Sequence, residues 1–431
     1  MSGARWSLED AERYLRGLEL FGMRFGLDRM RRLMTTLDQP ERRYDTIHVV
    51  GTNGKSSTTR MIAAILQRHE LHVGAYLSPH LVSFAERIRV DDRDVEPRAF
   101  ARALERAAHA AALVNRSQHE DDRVTQFEAL TAAAFSELAA REVEVAVVEA
   151  GLGGRWDATN VIPSTVQVLT SVGLEHTRWL GPTVRDIARE KLAVVRDGGV
   201  LVIGADLHPD ALEEAQAAAE RHGARLVRAP ADPGVEVAAP GAFQQRNFAL
   251  ARAAARAYLE ASGRAVELAR VRAAAAAVTV PGRLQVVAHE PLTVLDGAHN
   301  AEGVAALAES LPRLTAGRRL VAVVSILEDK DAAGMLRALL PHVEHVVFTR
   351  NQNPRALPPA TLASLWAQLG GAGGADGGGA GGTQSLEADP RRALARAREL
   401  AGAGGVVLAT GSIYLVADLL APAGQRSASM L

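Results

Sequence analysis

The chain has 431 residues, 48% hydrophobic and 23% charged, with 49 basic against 50 acidic side chains and a formal net charge of −1. That apolar share supports two or three packed domains, and a charge so near balance offers no field to recruit nucleic acid or an anionic membrane. There is no cysteine, which excludes disulfides, thiolate metal sites and cysteine nucleophiles.

In chain order, Leu8, Ala11, Leu15 and Leu18 recur at helical spacing. The N-terminus therefore reads as an amphipathic helix and not as a signal peptide. No apolar run reaches the roughly 20 residues that cross a bilayer, and a soluble cytoplasmic protein is expected. Residues 46–50 form a strand candidate, followed by a glycine turn and a helix over 58–69. Strands are expected at 143–148, 165–172 and 200–203, then a helix over 209–222 and a short strand at 225–227. Pro281-Gly282-Arg283 reads as a hinge. Beyond it strands recur at 284–288, 292–295, 320–326, 343–349 and 406–410. This alternation predicts α/β architecture with largely parallel sheets, divided into a larger domain over 1–283 and a smaller Rossmann-like α/β domain over 284–431. The Gly/Ala-rich stretch 370–382 is expected to be a mobile surface loop.

Lysine is scarce: only Lys55, Lys191 and Lys330 occur, and arginine fills every other basic position. Lysine offers a compact charge and an amine that can become neutral and nucleophilic, which arginine does not. All three fall inside motifs recognised on other grounds.

The first motif, HVVGTNGKSSTT at 48–59, runs from a strand through glycines into Lys55 and hydroxyls that open a helix. Backbone N–H groups there can approach phosphate oxygens while Lys55 meets the β/γ charge, which makes the N-terminal domain a P-loop-type ATPase. Val49 occupies the first glycine position of the strict pattern. In the second, 143–160, a strand delivers Glu149 at its carboxyl end, where a magnesium ligand belongs beside a phosphate loop. The third, 172–191, holds His176 and Lys191. Arg283 sits in the hinge, and Asp296, His299 and Asn300 lie in LDGAHN; Asp and Asn at such a place also serve as plain helix caps.

Together GTNGK, SPHL, TQFE, GLGGRWDATN, GLEH, EK, PGR, DGAHN, DKD and GS, in that order over about 25–416, resemble the folate branch of the Mur ligase family, the folylpolyglutamate and dihydrofolate synthases. The resemblance implies that Gly54, Lys55, Ser56 and Ser57 hold the triphosphate of ATP. Asn247, Arg283 and Asp296 would also contact the nucleotide. It implies two Mg2+ ions on Ser78, Glu149, His176 and Lys191, the lysine as its carbamate. Leu27, Asp28, Arg29, Thr125, Gln126, Phe127, Glu128, Trp156, Asp157 and Ala158 match the pterin-binding surface. Lys55, Lys191, Arg283 and His299 form the implied catalytic set, and Lys330 is expected to contact an anionic substrate or aid domain closure. The implied reaction adds glutamate to a folate or dihydropteroate carboxylate through an acyl phosphate, in a monomer acting on small molecules. Three positions depart from the branch: Ser56 where glycine is usual, Glu175 in place of Asp, and Leu192-Ala193-Val194-Val195 after Lys191.

A second reading is a Mur-type ligase acting on a cell-wall precursor or another specialised acid. A P-loop switch protein is disfavoured, since no lysine follows asparagine and N-K-x-D is absent. A non-catalytic homologue is disfavoured by the retention of Lys55, Glu149, His176 and Lys191.

Overall fold

The computed structural model describes residues 6–19, 26–116, 122–371 and 382–422. Its first sheet is built from β1 (Asp45–Val50), β2 (Val73–Tyr76), β3 (Ile88–Val90), β4 (Arg93–Asp94), β5 (Val145–Glu149), β6 (Val166–Leu169), β7 (Val200–Ile203) and β8 (Arg225–Arg228). The order is β4-β3-β2-β5-β1-β6-β7-β8. The six strands from β2 to β8 are parallel, and the β3–β4 hairpin adds an antiparallel edge. The central strands are rich in Val, Ile and Leu and buried along almost their whole length because helices cover both faces. Helices Asp28–Thr36, Pro97–Asn115 and Gln126–Ala140 pack on one face, and Lys55–Arg68, Ala242–Ala261 and Leu268–Ala277 on the other.

The second sheet contains β9 (Gln285–His289), β10 (Leu292–Leu295), β11 (Leu320–Val324), β12 (His345–Phe348), β13 (Thr383–Leu386) and β14 (Val406–Thr410), ordered β13-β12-β11-β14-β10-β9. Only β9 runs antiparallel. Its two faces carry separate apolar clusters. The expected α/β architecture with largely parallel sheets is therefore present in both halves.

The apolar runs read from the sequence all become strands within a few residues. Helix Lys55–Arg68 begins three residues earlier than expected because Gly54, at φ 86°, ends the turn immediately before Lys55. β2, β3, β4 and β13 were not anticipated. They are short, and their VGAY, IRV, RD and TQSL sequences lack a sustained apolar run. The expected loop over 370–382 lies, from 372 to 381, outside the described residues. No helix among those described is long and apolar enough to cross a membrane.

In the first sheet the chain leaves β1 toward β2 on one side, while β6 pairs on the other. The loops after β1, β5 and β6 gather above the carboxyl edge of the parallel strands, the usual ligand position in such sheets.

Candidate active site

The loop after β1 is shaped by two glycines. Gly51 passes so near Thr170 that an added Cβ would lie 1.8 Å from its Oγ1, and at Gly54 one would lie 2.5 Å from Asn247 Oδ1. Thr170 Oγ1 donates to the Asn53 carbonyl at 2.7 Å and Asn53 N–H to Ser171 Oγ at 2.9 Å, tying the loop to the end of β6. Both site lysines converge on it. Lys55 Nζ donates to the carbonyls of Gly51 (3.0 Å) and Thr52 (3.1 Å), and Lys191 Nζ to that of Gly51 (2.8 Å). Lys191 is 4% exposed; burial first, then the Lys55 charge, brings its pKa down to about 7. Ser57 is buried in the first turn of the same helix.

Glu149 emerges where β5 ends and is 1% exposed. Ser56 Oγ donates to it at 2.8 Å and the Ser78 N–H at 3.0 Å, so the serine that departs from the family pattern has a partner. Burial pushes the carboxyl up to about 6, against the lowering charges of Lys55 and Arg283. Ser78 Oγ is held from behind by Arg87, at 3.3 Å from Nη1, and Arg87 also donates from Nε to His80 Nδ1 at 2.9 Å. Buried carboxylate and hydroxyl oxygens suit a hard divalent cation, so Ser78 and Glu149 fit one as they stand. His176 adds an imidazole, its pKa lowered to about 4 chiefly by burial. Lys191 as a free amine is a donor and fits a metal only when carrying an acid group. Among the described residues no cluster of three or more His, Asp or Glu could hold a metal, so most ligands would come from phosphate and water.

The second half of the chain reaches this loop through Glu175. Its carboxylate lies 3.1 Å from Lys330 Nζ and 3.3 Å from His299 Nε2, and accepts from Asn300 Nδ2 at 3.2 Å. Burial works to raise this carboxyl, but His299, Lys330 and His176 outweigh it and hold it well below the usual range. Asn53 and Asn300 exchange amide hydrogen bonds at 3.1 and 3.3 Å, while Asn300 also caps helix Ala301–Ala308. Asp296 accepts from the N–H groups of Leu284 (2.9 Å) and Ala298 (2.8 Å), so both its oxygens shape the hinge and the DGAHN turn. Arg283 lines the cleft together with Ser56. Asn247 lies beside Gly54 and donates to Gln244 at 2.9 Å.

The folate set forms a neighbouring region on the first sheet. Arg29 is buried and donates from Nε to both Glu128 oxygens at 3.0 and 3.1 Å, and pairs with Asp122. Thr125 and Glu128 make a reciprocal capping box that starts helix Gln126–Ala140, and Gln126 Nε2 donates to the Leu15 carbonyl at 2.8 Å. Asp157 accepts from Leu152 N–H and Thr159 N–H at 2.7 and 3.0 Å. These polar groups hold the surface together. Leu27 and Ala158 are buried, Asp28 points outward, and the large exposed group is Trp156.

A Mur ligase middle-domain family model matches residues 49–232, and a Mur ligase glutamate ligase domain model matches 282–413. A Mycobacterium tuberculosis dihydrofolate synthase/folylpolyglutamate synthase is 36% identical over 373 residues, 78% of this chain and 76% of that relative. The chain belongs to the Mur ligase family, in its folate branch. The Bacillus subtilis dihydrofolate synthase/folylpolyglutamate synthase is 31% identical to this ligase across 95% of the chain and 98% of the relative. The crystallised Mycobacterium tuberculosis folylpolyglutamate synthase complexed with ADP and AMPPCP superposes with a TM-score of 0.85 at 32% identity, over 96% of this chain and 97% of that one.

Proposed function

We propose that this ligase uses ATP to attach L-glutamate to dihydropteroate, to (tetrahydro)folylpolyglutamate or to both, with release of ADP and phosphate. The observation that carries the reading is the convergence of Lys55, Lys191 and Glu149 around one glycine loop and the helix start after it, with Arg283 lining the adjoining cleft and His299 and Lys330 reaching across to Glu175. The relatives' names and the nucleotide-bound structure support the substrates.

The backbone of Gly54–Ser57 and Lys55 cradle the triphosphate at the helix N-terminus. Arg283 reaches the phosphates from the hinge, with Asn247 and Asp296 setting the nucleotide's edge of the cleft. Two Mg2+ ions on Ser78, Glu149, His176 and carbamylated Lys191 would, when bound, neutralise phosphate charge that otherwise repels a carboxylate. The acceptor carboxylate attacks the γ-phosphorus, and the glutamate amine then displaces phosphate from the acyl carbon. The folate acid lies over Leu27, Asp28, Arg29, Thr125–Glu128 and Trp156–Ala158. We divide the chain at Arg283, so that the Glu175 contacts close the second domain over the site and exclude water from the acyl phosphate. The enzyme acts as a monomer, a reading that rests on the resemblance, and in the cytoplasm, a reading that rests on the absence of a long apolar run in the sequence.

Incubation with ATP, Mg2+, glutamate and either dihydropteroate or tetrahydrofolate tests this. ADP release should require one of the two acids. Release indifferent to both would replace the folate reading by that of a Mur ligase for another acid.

A further inference from the structure

Beside the phosphate loop, a cleft between the two halves is lined by Ser56, Arg60, Leu81, Pro281, Arg283 and Ile413, among others. Arg60 follows Ser56 by four residues on helix Lys55–Arg68, which places it one turn deeper on the same face. Its guanidinium is partly buried, yet it makes no hydrogen bond and no ion pair with any described residue.

The acids within its electrostatic reach are Glu86, Asp92 and Asp94, and all are engaged elsewhere. Glu86 accepts from the backbone N–H groups of Leu81 (2.9 Å), Val82 (2.8 Å) and Ser83 (2.7 Å). Asp92 pairs with Arg89 at 2.8 Å, and Asp94 pairs with Arg89 as well. Arg89 itself adds a like charge. Burial and Arg89 lower the Arg60 pKa to about 10, so the group stays charged at neutral pH. A guanidinium withdrawn from water without an acceptor is unfavourable, and the charges of Asp94, Asp92 and Glu86 offset its burial only in part, with no hydrogen bond among the described residues. The cleft thus presents two guanidinia and apolar walls, with the Ser56 hydroxyl donated to Glu149 and its one carboxylate occupied by backbone.

We propose that Arg60 is an oxyanion-binding residue of this cleft, gripping with Arg283 a carboxylate or phosphate of the ligand that spans the two domains. The proposal rests on the ligase reading for the ligand's identity, which leaves two sources for one chemistry: a phosphate of the nucleotide or a carboxylate of the acceptor acid.

Calorimetric titration of the full chain, unchanged and as Arg60→Met and Arg60→Lys, with ADP, with a pteroylglutamate and with inorganic phosphate separates them. Arg60→Met should lose about tenfold or more in affinity for one organic ligand, and Arg60→Lys should recover only part of it, since an ammonium lacks the bidentate fork. A loss confined to ADP assigns the phosphate; a loss confined to the pteroylglutamate assigns the carboxylate. Ligand-free Arg60→Met should also unfold at the same temperature as the parent or higher, because no native hydrogen bond is removed. Unchanged affinity for all three titrants, or ligand-free unfolding several degrees lower, overturns the proposal. If the parent chain binds neither organic ligand, the ligase reading fails, while the phosphate titration still decides the role of Arg60.

Discussion

Lys191 and Arg283 are not interchangeable chemically. Among basic side chains only a primary amine forms a carbamate, and burial already brings the Lys191 pKa down to about 7, so Lys191→Arg installs a fixed positive charge and removes the chemistry. We expect kcat to fall on the order of 10²-fold in a folded protein, with the extra mass of the carbamate present on the parent peptide and absent from the variant. Undiminished turnover would remove Lys191 from the mechanism. His48 carries a different prediction. It is wholly buried in β1 with Nε2 2.8 Å from Thr159 Oγ1, and burial, then Arg196, lowers its pKa from 6.5 to about 3. Below pH 6.5 the unfolded chain takes up a proton that the folded chain refuses until about 3. Stability is therefore lost as pH falls through that window, by up to about 1.4 kcal/mol per unit. Urea midpoints between pH 7 and 5 should show this slope, and it should flatten in His48→Asn.

At the scale of elements, the turn that opens helix Lys55–Arg68 joins backbone conformation to packing. Gly54 sits at φ 86°, and its neighbour is the Asn247 side chain of helix Ala242–Ala261. Gly54→Ala should destabilise the fold by roughly 1–2 kcal/mol through the left-handed backbone alone. It should also displace Asn247 and weaken nucleotide binding, as a lower denaturation midpoint and a raised KM for ATP would report. The capping box of Thr125 and Glu128 works similarly for the surface we propose to bind the folate acid. Because Glu128 both caps its helix and receives Arg29, Glu128→Ala should loosen that whole corner rather than delete one ligand contact.

Across the whole molecule, the two halves meet at Glu175, where a buried carboxylate of the first faces Lys330 and His299 of the second. Glu175→Gln leaves the Lys330 ammonium without its closest charge. We expect it to weaken this contact by roughly 3 kcal/mol, with a larger radius of gyration in scattering, a raised KM and a lower kcat. An unchanged radius with unchanged kinetics would make the contact incidental to closure.

The strands that combine Val, Ile and Leu runs with flanking turn residues were legible from sequence because burial on both faces demands unbroken apolar stretches. That Lys55, Glu149 and Lys191 gather around the turn after β1 was anticipated from their motifs, and the structure places their side chains there. β2 and β13 were not, since a short Gly-containing or polar strand takes its conformation from the partner it pairs with. The Asn53–Asn300 exchange, the Arg87 brace behind Ser78 and the partly buried guanidinium of Arg60, without a hydrogen bond among the described residues, were not legible either. Each depends on contacts in space, from nine positions apart for Arg87 and Ser78 to 247 for Asn53 and Asn300, which local pattern does not encode. The sequence by itself determined the α/β architecture and the glycine turn between β1 and its helix. The tertiary structure alone decided which of them face one another, because hydrogen bonds and ion pairs act over a few ångströms in space and are blind to separation along the chain.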